Sequence, residues 1–477
     1  MSKGRFNEGM FVTCFYTFPN KALKKPDSII MVTKKENGEK EFKYIPKPKF
    51  SFYTTKDEYN DGKLVDFIPF DKCKKITCEY NKRYSEMVKS TNNPEVKNFY
   101  NNIIKNQRYK ELNELNLFPE FHESDINIVD YYIKEFINEY DYRKYNYDLN
   151  ITAFDIEVDS SNIVGFPDEN EALCPVNMIS MYNNVSNTLY LYALKYDTDT
   201  FIDFKNHHIK ESCMYIFNKY KKYFGDFKIK PVFFNTELAL ISTFFKQINT
   251  DKPDYVFAWN ARFDIQTLHN RLIKLLAGKE IFPEDIMCPE EFPVKRVNIK
   301  LDTSPDAETD FSKRADLFEI YGYSNWVDMM ALYANITRPN GKKDSYSLDA
   351  IGEEETGETK EDLSVDDTNI KTAHLDNYSA FFKYSGGDSL LLMLIINKTG
   401  HVNILHSIST MTRTRPSKAL KKTVCLRNFG QYFYNLNGYA MSNNHSYLKP
   451  QDGHIAGALT YKCSLNLVNC WKLLKLN

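Results

Sequence analysis

The run ITAFDIEV carries two acids, Asp155 and Glu157, inside an otherwise apolar segment. Residues two apart on a strand point to one face, so the two carboxylates stand side by side. A charge buried there is costly without a partner, and two like charges at short range repel. A divalent cation is the natural remedy. A second place is WNARFD, where Trp259 and Asn260 end an apolar run and Phe263 and Asp264 open the next expected helix. A third is YSGGD, where Tyr384 and Asp388 are four apart and share a helical face at about 5–6 Å. Each has an ordinary explanation alone: an acid pair at a strand edge, a helix cap for Asp264, a surface tyrosine bonded near an acid. Together they supply four carboxylates and one phenol in chain order between 155 and 388. Hard oxygen ligands of this kind suit Mg²⁺ or Mn²⁺. Two such ions roughly 3.5–4 Å apart clamp the attacking and leaving oxygens of a phosphodiester.

The elements that must position these residues are readable in outline. Residues 1–60 alternate like strands, with an asparagine-glycine turn at ENGEK that signals a hairpin. Residues 83–147 are polar and helix-like. The segment from 150 predicts three sequential strands, ITAFDIEV, NMISMY and TLYLYALKY, joined by short turns as an antiparallel meander. A helix is expected over 236–249, a buried strand at YVFAW, and a helix from Asp264 to Leu276. The stretch 353–367 reads as an acidic surface loop. Residues 375–399 read as one helix, weakened by Gly386 and Gly387. KYDTDT (195–200) reads as a strand end and turn.

The chain has 477 residues, enough for roughly three domains at about 150 residues each. Mean hydropathy is −0.51, and no run approaches the ~20 apolar residues of a membrane span. The start, MSKGRFNEGMFV, lacks a signal-peptide core. Nine scattered cysteines without zinc spacing read as thiols in a reducing compartment. The net charge of −1 hides an asymmetry: after Asp388 stand eleven bases and one acid, Asp452. An acidic body with a basic end suits an enzyme that gathers metal ions in one place and holds a polyanion in another, although a solvated basic surface gives the same count.

The three motifs resemble Exo I, Exo II and Exo III of the DEDD 3′→5′ exonucleases, in the class that bears a tyrosine. More narrowly, ITAFDIEVDS, FAWNARFDIQTLHNRL, NWVDMMALY and DSYSLDAIG resemble the N-terminal half of phage family-B DNA polymerases of the T-even type. The resemblance spans about 150–460 and is looser over 1–60. VKRVNIKL and RADLFEIYG fall where such polymerases carry a hairpin that helps separate primer from template. The resemblance implies an α/β fold with an RNase H-like exonuclease domain and an α+β N-terminal domain. It implies two Mg²⁺ (or Mn²⁺) ions on Asp155, Glu157, Asp264 and Asp388, with Tyr384 orienting the attacking water. Asn260 and Phe263 would touch DNA, and Arg413, Arg415, Lys418, Lys421 and Lys422 would form a phosphate-contacting rim. Two departures stand out: Ala261 and Arg262 separate asparagine from phenylalanine where many members have three residues, and Ser385 follows Tyr384 where asparagine is common.

The palm motifs of such a polymerase, D-x-x-S-L-Y-P and Y-x-D-T-D, have no credible copy here. TRTRPSKALKKT and GHIAGALT resemble the threshold of a palm, and YKCSLNLVNCWKLLKLN does not resemble the start of the palm itself. The implied organisation is an N-terminal domain over 1–150, an exonuclease domain over 151–400, a return to the N-terminal domain over 401–460, and an atypical tail over 461–477. Three functions are compatible with these residues. One is a proofreading exonuclease acting on a single-stranded 3′ end and on primer-template DNA, with palm, fingers and thumb on a second chain or lost. Another is a DNA-binding interaction subunit with little nuclease activity. The third is an independent RNase of the DEDD class. The expected place is the cytoplasm, that of the host if a phage encodes the chain, with no membrane partner.

Overall fold

Alternating apolar residues in the first fifty positions form β1 (Met10–Thr17), β2 (Ser28–Lys34) and β3 (Lys40–Pro46), an antiparallel sheet in that order. Gly38 in the turn before β3 has φ +84°, which glycine adopts without strain. The computed structural model describes residues 9–20, 25–56, 67–139, 148–363 and 369–443. The expected tail 461–477 and the GHIAGALT segment lie outside them. β4 (Lys49–Thr55), β5 (Phe67–Pro69), β6 (Cys73–Glu79) and β7 (Phe121–His122) come next, with β4 between β6 and β7. The helix-like region yields α1 (Arg83–Lys89), α2 (Pro94–Lys105) and α3 (Ile128–Glu139), and α3 packs against β1. Their apolar faces, with Phe50, Phe52, Leu115 and Ile133, close one core.

The change of composition at 150 begins a mixed six-stranded sheet. It contains β8 (Ile151–Val158), β9 (Val176–Asn183), β10 (Thr188–Leu194), β11 (Lys228–Phe234) and β12 (Tyr255–Ala258). β8, β9 and β10 are antiparallel neighbours, as the short turns predict, and β11 and β12 add parallel on either side. α4 (Asp199–Asp203) and α5 (Ile209–Phe224) connect β10 to β11, and α6 (Glu237–Asp251) leads to β12. KYDTDT is the turn between β10 and α4, where the Thr198 hydroxyl accepts from Phe201 N. α7 (Ala261–Leu275) and α8 (Pro283–Met287) come after it. An antiparallel pair, β13 (Val297–Lys300) and β14 (Leu317–Ile320), brackets α9 (Pro305–Thr309). β15 (Asn325–Asp328) completes the sheet beside β12, and α10 (Met329–Thr337) and α11 (Leu348–Thr356) lead on to α12 (Ala373–Asp376) and α13 (Tyr378–Thr399).

Two apolar layers flank this sheet. Phe154 and Ile156 face the layer of α6 and α7, whereas Ile151 and Ala153 face the layer of α5, α10 and α13. By the same alternation Asp155 and Glu157 point toward α13. α13 is long and apolar enough to cross a membrane by length and composition, contrary to the expectation of short apolar runs only, but most of it is buried inside the protein. Residues 353–356 belong to α11 and not to a loop, because the Ser347 hydroxyl caps the helix and Gly357, at φ +73°, ends it.

After Gly400 the chain forms α14 (His401–Thr412), α15 (Lys422–Leu436) and β16 (Tyr439–Met441). Contrary to the expected return of the whole segment, α14 stays on the exonuclease core, with Val402 and Leu405 in its apolar layer and His406 Nδ1 3.0 Å from the Tyr255 hydroxyl. α15 and β16 return to the first 150 residues. β16 pairs with β5, Arg427 bonds Asp125 at 2.5 Å, and Gln431 and Asn435 donate to Glu123. The seven described cysteines are unpaired thiols.

Candidate functional site

β8 outruns its neighbour. β12 pairs with it only as far as Ala153, so the strand beyond Phe154 keeps β9 on one side and opens on the other. Into that opening come the start of α7 and the middle of α13. Asp155, Glu157 and Asp388 each offer an oxygen, and these atoms lie within 4.8 Å of one another. Asp388 is fully buried, and Asp155 and Glu157 are half-buried. The next residue, Ser389, bonds Ser180 of β9 through its hydroxyl at 2.6 Å, which pins α13 to the sheet at the site.

Asp264 stands outside this group of three, yet close enough that the charges of Asp155 and Glu157 act on it. α7 begins at Ala261, three residues earlier than the sequence suggests, because Ala261 and Arg262 are good helix formers. Asp264 therefore does not cap the helix. It is buried, and its Oδ2 has no hydrogen-bond partner. Asn260 holds the cap position, exposed and without a side-chain cap bond, and Phe263 packs half-buried against the apolar layer.

The electrostatics are those of crowded acids in a low-dielectric place. Burial, with the Asp388 charge adding to it, lifts the Asp155 carboxyl to about 7. Burial and then the neighbouring acids lift Glu157 and Asp264 well above the usual carboxylate range. Asp388 is also raised by burial, with Lys360 working against the rise. The Tyr384 phenol is pushed up by burial and by Asp388.

Motif reading missed Lys360, which stands at this site. Its Nζ lies 2.6 Å from Asp388 Oδ2, donates to the Tyr384 hydroxyl at 2.9 Å, and sits over the Tyr384 ring. The available signal was compositional: Lys360 is the lone base in the acidic stretch 353–367. On the other flank Arg262 makes a two-pronged bond to Asp316, before β14, with Nε–Oδ2 at 3.0 Å and Nη2–Oδ1 at 2.7 Å. This ties α7 to the β13–β14 pair.

The expected basic rim is only partly a rim. Arg413 is buried with its guanidinium 3.4 Å over the Tyr432 ring. Arg415 is buried against Glu319, Asp130 and Asn127. Both arginines hold the return segment in place, because buried guanidinium groups need carboxylate, amide or aromatic partners. Lys418 is half-buried, and Lys421 and Lys422 are exposed.

Three converging carboxylates beside the unpaired edge of β8, with Lys360 and Tyr384 next to Asp388, form a candidate cation-binding site. The family model of the DNA polymerase family B exonuclease domain matches residues 98–351, more than half of the 477 residues. The chain belongs to that family, as an exonuclease part of a family-B polymerase. The match includes Asp155, Glu157 and Asp264 and ends before Lys360, Tyr384 and Asp388. A DNA-directed DNA polymerase of Escherichia phage RB69 is 24% identical over 276 residues, which make up 56% of this chain and 27% of the phage protein. The chain thus matches little more than a quarter of that relative's length.

Proposed function

We propose that this chain is a 3′→5′ proofreading exonuclease that removes nucleotides from the 3′ end of single-stranded DNA by two-metal hydrolysis. The fold would be RNase H-like and the site of the tyrosine-bearing DEDD class. The observation that carries this reading is the convergence of Asp155, Glu157 and Asp388 within 4.8 Å. The donor set fits a hard divalent cation: carboxylate oxygens that repel one another, with Asp388 Oδ1 and Asp264 Oδ2 lacking hydrogen-bond partners. Asp155, Glu157 and Asp388 would hold one ion, and Asp155 with Asp264 a second, as Mg²⁺ or Mn²⁺. Bound there, the ions supply a more acidic water and compensate charge on the departing 3′ oxygen.

The chain's own residues orient the reactants. The Tyr384 oxygen accepts from Lys360, so its own proton is left to donate to a water or a phosphoryl oxygen. Lys360 offsets the Asp388 charge and places a cation where a phosphate would enter. Asn260 and Phe263, at the start of α7, and the exposed Lys421 and Lys422 are proposed DNA contacts.

Residues 1–477 hold no credible copy of the palm motifs, so synthesis would need carboxylates from outside these residues, and a chain or segment with palm, fingers and thumb is the proposed partner. The proposed place of action is the cytoplasm. The test uses the purified 477-residue chain with Mg²⁺ and 5′-labelled single strands. Stepwise shortening of DNA from the 3′ end without dNTP incorporation is expected. Templated incorporation by this chain alone overturns the division of labour. Cleavage of RNA in strong preference to DNA favours an independent RNase instead.

A further inference from the structure

Lys360 reaches the site from residues 358–362, which lie in neither helix nor strand. A long, flexible side chain on irregular backbone loses its geometry unless something outside holds the segment. The structure assigns that task to the outer face of α5: we propose that two ion-pair anchors from α5, one on each side of Lys360, fix its ammonium between Tyr384 and Asp388. This proposal rests on the nuclease reading above and adds positioning residues to it.

The first anchor precedes the lysine. Glu358 Oε1 accepts from Lys222 Nζ at 2.7 Å and from the Tyr223 hydroxyl at 2.6 Å. The second comes just after it. Glu361 accepts from Lys219 Nζ at 2.5 Å and from the Tyr215 hydroxyl at 2.9 Å, and Lys219 also reaches the Thr359 carbonyl at 3.4 Å. Both glutamates are half-buried, and Lys219 is 21% exposed where Lys222 is 61% exposed, so the Glu361 pair is the less screened of the two anchors. Between the anchors the backbone N–H of Lys360 donates to Asp349 of α11 at 2.8 Å.

The same helix grips the other half of the site. α5 packs on α13 at Gly386 and Gly387, the two residues that precede Asp388. A Cβ on Gly386 would stand 2.9 Å from Ile216 Cδ1, and the Tyr220 hydroxyl donates to the Gly387 carbonyl at 3.3 Å. One helix thereby sets the position of the lysine segment and of the Tyr384–Asp388 turn together. The paired glycines, unfavourable in a helix interior, are what allow this close approach.

The test compares wild type with Glu358→Gln/Glu361→Gln, with Lys219→Met and with the exchange Lys219→Glu/Glu361→Lys, at matched thermal midpoints. Two readouts are taken: nuclease kinetics with Mg²⁺, and acetic anhydride labelling of Lys360 quantified by peptide mass spectrometry. The double glutamine variant is expected to lose about tenfold in kcat with KM little changed, and to label Lys360 severalfold faster. Lys219→Met, which keeps every acid, is expected to shift both in the same direction, and the charge exchange to recover most of the loss. Unchanged Lys360 labelling in both the glutamine and methionine variants overturns the anchoring, whatever the activity. Unchanged kcat in those variants, where Lys360→Met abolishes cleavage, overturns it as a positioning device. A wild-type chain that cuts no DNA sinks the nuclease reading, and the labelling still decides the anchoring.

Discussion

Asp155 is costly to this protein when no cation is bound. Its carboxyl stands at about 7 in the folded chain, against about 3.9 in an unfolded one. Between those values the folded chain binds the extra proton, so stability falls as pH rises from about 4 to about 7. Asp155→Asn is therefore expected to raise the thermal midpoint of the metal-free protein near pH 8, by about 1 kcal/mol or more, while nuclease activity drops by orders of magnitude. Calorimetry in chelator, set beside a cleavage assay in Mg²⁺, checks both. A lowered midpoint would show that Asp155 serves the fold and not a cation. Adding Mg²⁺ should stabilise wild type and have little effect on the variant. Tyr384→Phe removes a single hydroxyl bonded to Lys360, and its loss of rate should be smaller than that of Asp155→Asn in the same assay.

The site is assembled where elements are allowed to come close, and Gly352 marks such a place. A Cβ there would stand 2.9 Å from the Glu358 carbonyl oxygen and 3.0 Å from both methyls of Leu391. Leu391 can shift, but the Glu358 backbone cannot do so without moving the segment that carries Lys360. In an open helix, Gly→Ala stabilises by about 1 kcal/mol. Here the overlap should reverse the sign, giving net destabilisation of about 1–3 kcal/mol and a reduced cleavage rate. Chemical denaturation and single-strand cleavage of Gly352→Ala measure the two effects. A more stable variant with normal activity would show that α11 moves aside at no cost. The strands and the long helix were legible because their periodicity is local: ITAFDIEV alternates, and the Tyr384–Asp388 spacing is that of one helical turn. Lys360 was not, because its partners lie 24 and 28 residues away across irregular backbone, and no spacing rule connects them. The burial of Arg413 and Arg415 escaped for a related reason. Which of two adjacent charges turns inward is decided by partners such as Glu319 and Asp130, far along the chain.

Over the whole molecule, a buried carboxylate bonds the N-terminal sheet to the exonuclease sheet, beside the bond that Asn325 of β15 donates to the Val12 carbonyl of β1 at 2.8 Å. Asp254 stands at the entrance to β12, whose far end delivers Asn260 and Asp264 to the site. Lys34 of β2 bonds its Oδ2 at 2.8 Å, Lys40 of β3 bonds its Oδ1 at 2.8 Å, and Asn150 N donates to it at 2.7 Å. Two ammonium groups share one carboxylate, and burial brings the Lys40 amine down to about 8. An unfolded lysine titrates near 10.4. Between about 8 and 10.4 the unfolded chain therefore binds more protons, and the Lys40 contribution to stability rises with pH in that window. The comparison with Lys40→Met isolates it from the tyrosines that titrate nearby: wild type should gain on the variant by about 1–2 kcal/mol between pH 8 and 9.5. Asp254→Asn is the severe case. It leaves two buried cations with backbone carbonyls, those of Asp148 and Tyr323, as their remaining acceptors, and should cost about 3–5 kcal/mol. Because β12 leads into α7, that variant should also lose activity at temperatures where it remains folded. Urea denaturation across pH, with cleavage measured below the transition, tests the coupling. An Asp254→Asn protein of wild-type stability, or a Lys40→Met difference that shrinks as pH rises, would show that this cluster does not couple the two sheets.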